Sequence, residues 1–117
     1  MEMEIIEPRF VAGTSLQGTI YATYNNLAFC LGDPRTEGLD NSTAEWHMQI
    51  RTDDGDYHTV TLYDWGQYTT PTKAHHWNVG AFDMDGFNAL FDFLDRNGAL
   101  GFDVTLGNNR LDHRGRK

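Results

Sequence analysis

Asp64 stands between Tyr63 and Trp65 at the end of an alternating stretch, Tyr57-His-Thr-Val-Thr-Leu-Tyr-Asp-Trp65. Alternation carries it with Leu62 to the core side. A carboxylate there must be hydrogen-bonded or paired, or its pKa rises. Two chemistries fit: an acceptor for loop backbone amides or a Trp N–H, or a general acid or base in a pocket roofed by residues 66–76. The first is the simpler reading and is preferred. His47, His58, His75, His76 and His113 raise metal ligation, which needs donors converging at about 2.0–2.2 Å. Strand pairing places His47 near Glu45 and Tyr63 but His58 on the opposite face, and His75 and His76 point apart. No HxH or HExxH pattern occurs, so neither metal nor cofactor is expected. Cys30, the single cysteine, lies in the apolar run Leu27–Leu31 and reads as a buried structural thiol; no internal disulfide can form.

Tyr57, Tyr63 and Trp65, with His47 and Arg51, fall on one hairpin face and form a candidate aromatic binding platform, being the residue types enriched at interaction hot spots. Trp65 and Trp77 flanking one cavity, with Asp64 and His76, would instead make a small-ligand pocket. The candidate binding residues are therefore Tyr57, Tyr63, Asp64, Trp65, His76 and Trp77. None is assigned a catalytic role.

A hairpin must position these residues. Residues 44–51 and 57–65 alternate at period two around the turn at Asp54-Gly55. A turn centred on Asp54 sets Trp46 opposite Leu62 and Glu45 opposite Tyr63. Before it, Glu4–Gly13 reads as an extended edge segment interrupted by Pro8, and Gly13–Gly18 as a glycine-bounded loop. A helix capped by Thr23 carries Tyr24, Leu27, Ala28 and Leu31, and ends at Gly32 before Pro34. After the hairpin a long connection leads to a short strand, Trp77–Gly80. A second helix is capped by Asp83, with Phe82 and Phe87 as a hydrophobic staple and a stripe of Phe87, Leu90, Phe91 and Leu94. Residues 99–106 suggest a last strand. The expected fold is α+β, in the order β-α-β-β-β-α-β: a mostly antiparallel sheet with two helices packed on one face. Residues 1–109 form the single domain and 110–117 a basic flexible tail.

The 117 residues suit one domain. Residues 1–109 carry 5 Lys/Arg against 16 Asp/Glu, a net −11, while the tail adds Arg110, Arg114, Arg116 and Lys117. An acidic body disfavours nucleic acid and suits a basic protein partner. No run is long enough for a membrane helix, and the start lacks the features of a secretory signal.

Five pieces then stand in order: Gly13-Thr-Ser-Leu-Gln-Gly18, Thr23-Tyr-Asn-Asn-Leu27 through Gly32-Asp-Pro34, Thr43-Ala-Glu-Trp46, Leu62-Tyr-Asp-Trp65 and Trp77-Asn-Val-Gly80. Together, over roughly residues 11–95, they resemble a group of small uncharacterised proteins encoded by tailed bacteriophages. That group carries a GTSLQG-like loop, a TYxxL…GxP helix, an AEW strand, a YDW strand end and a WHIGG-like segment. The chain departs from it at Trp77–Ala81, which lacks the His and the second Gly. The expected partner is a host or anti-phage defence protein in the cytoplasm of the infected host cell, with a homodimer across the hairpin face as a further possibility. The resemblance itself implies a phage origin and an accessory role in the infected host. It carries no catalytic residue. The reading is a non-enzymatic binding protein; the alternatives are a nucleotide-like ligand module and, third, a hydrolase using Asp64 and a histidine.

Overall fold

Period-two alternation in residues 45–63 becomes the centre of a five-stranded sheet. The computed structural model describes residues 1–100. The chain runs through β1 (Glu2–Ile5), a 3₁₀ turn (Pro8–Val11), β2 (Ser15–Ala22), α1 (Tyr24–Leu31), β3 (Glu45–Arg51), β4 (Tyr57–Tyr63), β5 (His75–Ala81) and α2 (Met84–Arg96). The strands lie in the order β1-β3-β4-β5-β2, each pair antiparallel. This is an α+β fold with the helices on one face. In the hairpin, Trp46 pairs with Leu62 and Glu45 with Tyr63, the register the alternation requires.

The helix-side face carries Trp46, Met48, Leu62, Trp77 and Val79, all buried. Helix α2 seats Phe87, Leu90, Phe91 and Leu94 on it, each burial stabilising by roughly 1.5–3 kcal/mol. Its N-cap is Asp83, whose Oδ1 accepts from the Gly86 N–H at 3.1 Å. The first turn of α2 approaches the sheet so closely that a Cβ on Gly86 would lie 2.7 Å from the Ala81 Cβ. The Oγ1 of Thr23 accepts from the Asn26 N–H, and Gly32 leaves α1 at φ 87°. Two indoles then hold that short helix at both ends. Trp77 Nε1 donates to the Ala22 carbonyl before it at 3.1 Å, and Trp46 Nε1 donates to the Gly32 carbonyl after it at 2.8 Å. Their rings meet edge to face at 5.6 Å, with Tyr24 against both.

Several local expectations are corrected. The opening strand ends at Ile5, and Pro8 starts a 3₁₀ turn instead. Residues 15–18, read as loop, belong to β2, an edge strand with an irregularity between Leu16 and Gly18. The element order therefore holds a strand more ahead of α1 than expected. Phe82, expected to staple onto Phe87, lies largely exposed with its ring beside Gly13, whereas Phe87 is fully buried. Cys30 is half-buried, and burial pushes its thiol pKa up. The strand expected over 99–106 lies beyond the described residues after Leu100, as do His113 and the basic tail. No helix among the described residues is long and apolar enough to cross a membrane.

The other face of the sheet is crossed by the chain itself. Ile5 pairs with Met48, Met48 with Val60, Val60 with Ala81 and Ala81 with Ser15, so one row runs from edge to edge. Residues 6–14 must span that row, four inter-strand spacings or roughly 19 Å. They cross over the next row, His47–Thr61–Gly80, where His47 and Thr61 are buried. Gly80 is confined mainly by its strand neighbour: a Cβ there would lie 2.7 Å from Thr61 Cγ2 on β4, and 3.4 Å from Thr14 Oγ1 at the end of the crossing. Gly80→Ala is expected to destabilise the protein by about 1–3 kcal/mol through overpacking. Thr61→Ser removes the nearer obstructing methyl, so the double variant should recover most of that loss in urea unfolding. Additive losses would place the strain elsewhere.

Candidate functional site

Asp64 is fully buried and lies one residue past β4. Its Oδ1 accepts from the Thr43 and Ala44 N–H groups at 2.8 and 3.0 Å, and its Oδ2 from the Thr43 hydroxyl at 2.5 Å. Thr43 Oγ1 in turn meets Thr70 Oγ1 at 2.7 Å. The carboxylate thus closes the open end of the hairpin and anchors the long loop before β5. Both tryptophan N–H groups of the core go to backbone carbonyls instead, and neither reaches Asp64.

The six expected binding residues do not converge. Trp77 is fully buried on the helix side, whereas Trp65 is 55% exposed, so the two indoles do not flank one cavity. His76 faces away from Trp77 and lies against Tyr21, ring centroids 4.6 Å apart. Tyr63 and Trp65 stay together, edge to face at 6.3 Å. Burial, and then the Glu45 charge, push the Tyr63 phenol pKa up. Tyr57, 64% exposed, sits at the other end of β4, six strand steps or roughly 20 Å from Tyr63. No protein-family model, curated protein or solved structure matches the chain. The site therefore rests on its own geometry.

That geometry offers two surfaces. At the upper end, Trp65 stands on Tyr63 beside the acidic loop 33–41, which is tied there by the Gly66 N–H to Asn41 carbonyl bond of 2.7 Å. Glu37 and Asp40 of that loop are exposed. Beneath lies a pair of which His47 is buried and Glu45 partly exposed: His47 Nε2 and Glu45 Oε1 are 2.8 Å apart. The hydrogen bond to His47 does most to hold the Glu45 carboxyl below its usual range, against the opposing effect of burial. His47 Nδ1 has no partner among the described residues.

At the lower end, an open groove of about 820 Å³ follows β1. Met1, Met3 and Phe93 line it on the helix side; Glu2, Glu4, Arg51 and Tyr57 line it on the other. Sequence reasoning missed this groove, although the alternation Glu2-Met3-Glu4-Ile5 was its signal. Arg51 Nε donates to Glu2 at 2.9 Å. Nearby, Asp53 accepts from the terminal amine and from Arg96, which together lower its pKa to about 2. A second depression of about 410 Å³ is lined by Asp56, Asp83 and Asp85, among others. Among the described residues no three His, Cys, Asp or Glu side chains are placed to hold a metal ion.

Asp64→Ala leaves two amides and a hydroxyl without their acceptor, so a loss of roughly 3 kcal/mol or more is expected in denaturant unfolding. Asp64→Asn, which keeps Oδ1, should lose less. A fully stable Asp64→Ala protein would show that the carboxylate is not structural. Burial pushes the His75 imidazole below its ordinary range, partly opposed by the Asp64 charge. The unfolded chain therefore takes up this proton first as pH drops below about 6.5. The His75 contribution is thus fully present above that pH and is lost as pH falls toward the folded-state value. NMR titration should find the His75 midpoint below 6.5, and lower again in Asp64→Asn.

Proposed function

We propose that this protein is a phage-encoded, non-enzymatic accessory protein that binds and modulates a host or anti-phage defence component in the cytoplasm of the infected cell. The observation that carries the binding reading is Trp65, more than half exposed, braced edge-on by Tyr63 and set beside exposed acids. An exposed indole resting against a neighbouring ring supplies a large contact area to a partner. The surrounding charge favours a partner with a basic face, because complementary fields speed encounter. The candidate acid-base residue of the hydrolase alternative, Asp64, is committed to backbone amides. The separation of Trp65 from Trp77 removes the support for an enclosed aromatic ligand pocket. The phage assignment rests on the five sequence segments alone.

The test is association with the partner isolated from infected host lysate. Binding should weaken steeply as salt rises, since exposed charges are screened beyond about 8 Å at physiological ionic strength. Glu37→Lys with Asp40→Lys should slow association without lowering the melting temperature. Trp65→Ala should chiefly speed dissociation, by roughly 2 kcal/mol for an anchor residue. Binding indifferent to salt and to all three substitutions would overturn the reading.

A further inference from the structure

The free edge of β1 has a chemistry of its own. β1 is the terminal strand of the sheet and pairs only with β3 among the described residues. The Ile6 N–H bonds to the His47 carbonyl at 3.0 Å, and Glu4 and Glu2 follow in the same phase of the ladder, opposite Gln49 and Arg51. In an antiparallel pair the backbone groups of alternate residues point inward. The N–H and C=O groups of Met3 and Ile5 therefore point away from β3, off the edge of the sheet. Side chains alternate as well. Glu2 and Glu4 share the face of Arg51 and Gln49, while Met3 and Ile5 share that of Ile50 and Met48. Helix α2 leaves Ile5 largely exposed, so the helix-side wall is apolar and unfinished. Glu2 is paired with Arg51, whereas Glu4 has no partner among the described residues.

We infer that this edge is a docking site for an extended segment of a protein partner in which Lys or Arg alternates with apolar side chains. The segment would add a strand to β1, giving its backbone bonds to Met3 and Ile5. Its basic side chains would lie over Glu2 and Glu4, its apolar ones against Met3, Ile5 and Phe93. A second copy of this chain is disfavoured. Antiparallel pairing of two β1 edges with faces aligned sets glutamate against glutamate, and directly opposed like charges destabilise a sheet. The inference rests on the reading of the protein as a docking partner for a basic protein, and adds a second contact surface, at the far end of the hairpin from Trp65, with its mode of binding.

The experiment uses the whole chain and a synthetic peptide of alternating Lys and Val. Its controls are a peptide with the same residues in two blocks and one alternating Glu and Val. The alternating basic peptide should bind at least about tenfold more tightly than either control, and hydrogen exchange should slow at Met3 and Ile5. Ile5→Pro removes an outward donor and no β3 bond, so it should abolish binding while leaving the melting temperature near wild type. Glu4→Gln should weaken binding several-fold and flatten its salt dependence; because it keeps the backbone intact, it decides the matter if the proline variant misfolds. Equal binding of the two basic peptides, unchanged binding by Glu4→Gln and Ile5→Pro, or protection at Met3 and Ile5 produced by self-association alone would overturn the inference. If Ile5→Pro and Glu4→Gln leave peptide binding unchanged while Trp65→Ala weakens binding of the isolated partner, this inference fails and the docking reading survives. If the wild-type protein binds neither peptide nor partner, both fail.

Discussion

Two buried indole N–H groups hold the helical layer to the sheet. A polar hydrogen in an apolar interior must find an acceptor, and here the acceptors are the carbonyls on either side of α1, at Ala22 and Gly32. An eight-residue helix is too short to persist alone in water. It exists because Trp46 and Trp77 fix where it begins and ends, and because Leu27 and Leu31 then seal the core. The apolar stripe of α2 packs on the same face. The opposite face is left to polar residues and to a nine-residue crossing over His47 and Thr61, which it buries.

The residues with the most reactive potential are drawn into the same task. Asp64 is the candidate catalytic carboxylate, yet its oxygens are occupied by the residues that lead into β3. His47 is enclosed with Glu45 on the crossed face. What remains for a partner is surface: an indole propped on a phenol at one end of the sheet, and a strand edge at the other. The two lie on opposite ends of the hairpin, so a partner engaging both would need to span the length of β4.

Much of this was legible in the sequence. The hairpin register followed from strict alternation around one turn, and the same alternation carried Asp64 inward. Both caps, Thr23 and Asp83, and the α2 stripe were readable because short polar residues precede periodic apolar ones. Strand β2 was not readable. Gly13 and Gly18 bound a segment that looks like a loop, which hides the strand-forming Thr19-Ile20-Tyr21 directly after it. The gathering of six site residues failed for a topological reason. Tyr57 and Tyr63 share a face but not an end, and neighbours such as His76 and Trp77 share an end but not a face. Nor could alternation show that the crossing segment would bury His47 and Thr61, since nothing local in residues 6–14 says which strands they bridge.

The placement of β1 and β2 at opposite edges also orders the assembly of the molecule. Strands β3, β4 and β5 form a meander whose pairings are close in sequence. β1 must find β3 and β2 must find β5 across much longer stretches of chain, Glu2 to Arg51 and Ser15 to Ala81. Closing long loops costs more entropy than closing short ones, and distant pairings slow folding. The meander pairings are therefore the cheapest in loop-closure entropy, and the two edge strands close the longest loops. Until β5 has left the ribosome, β2 has no strand to join.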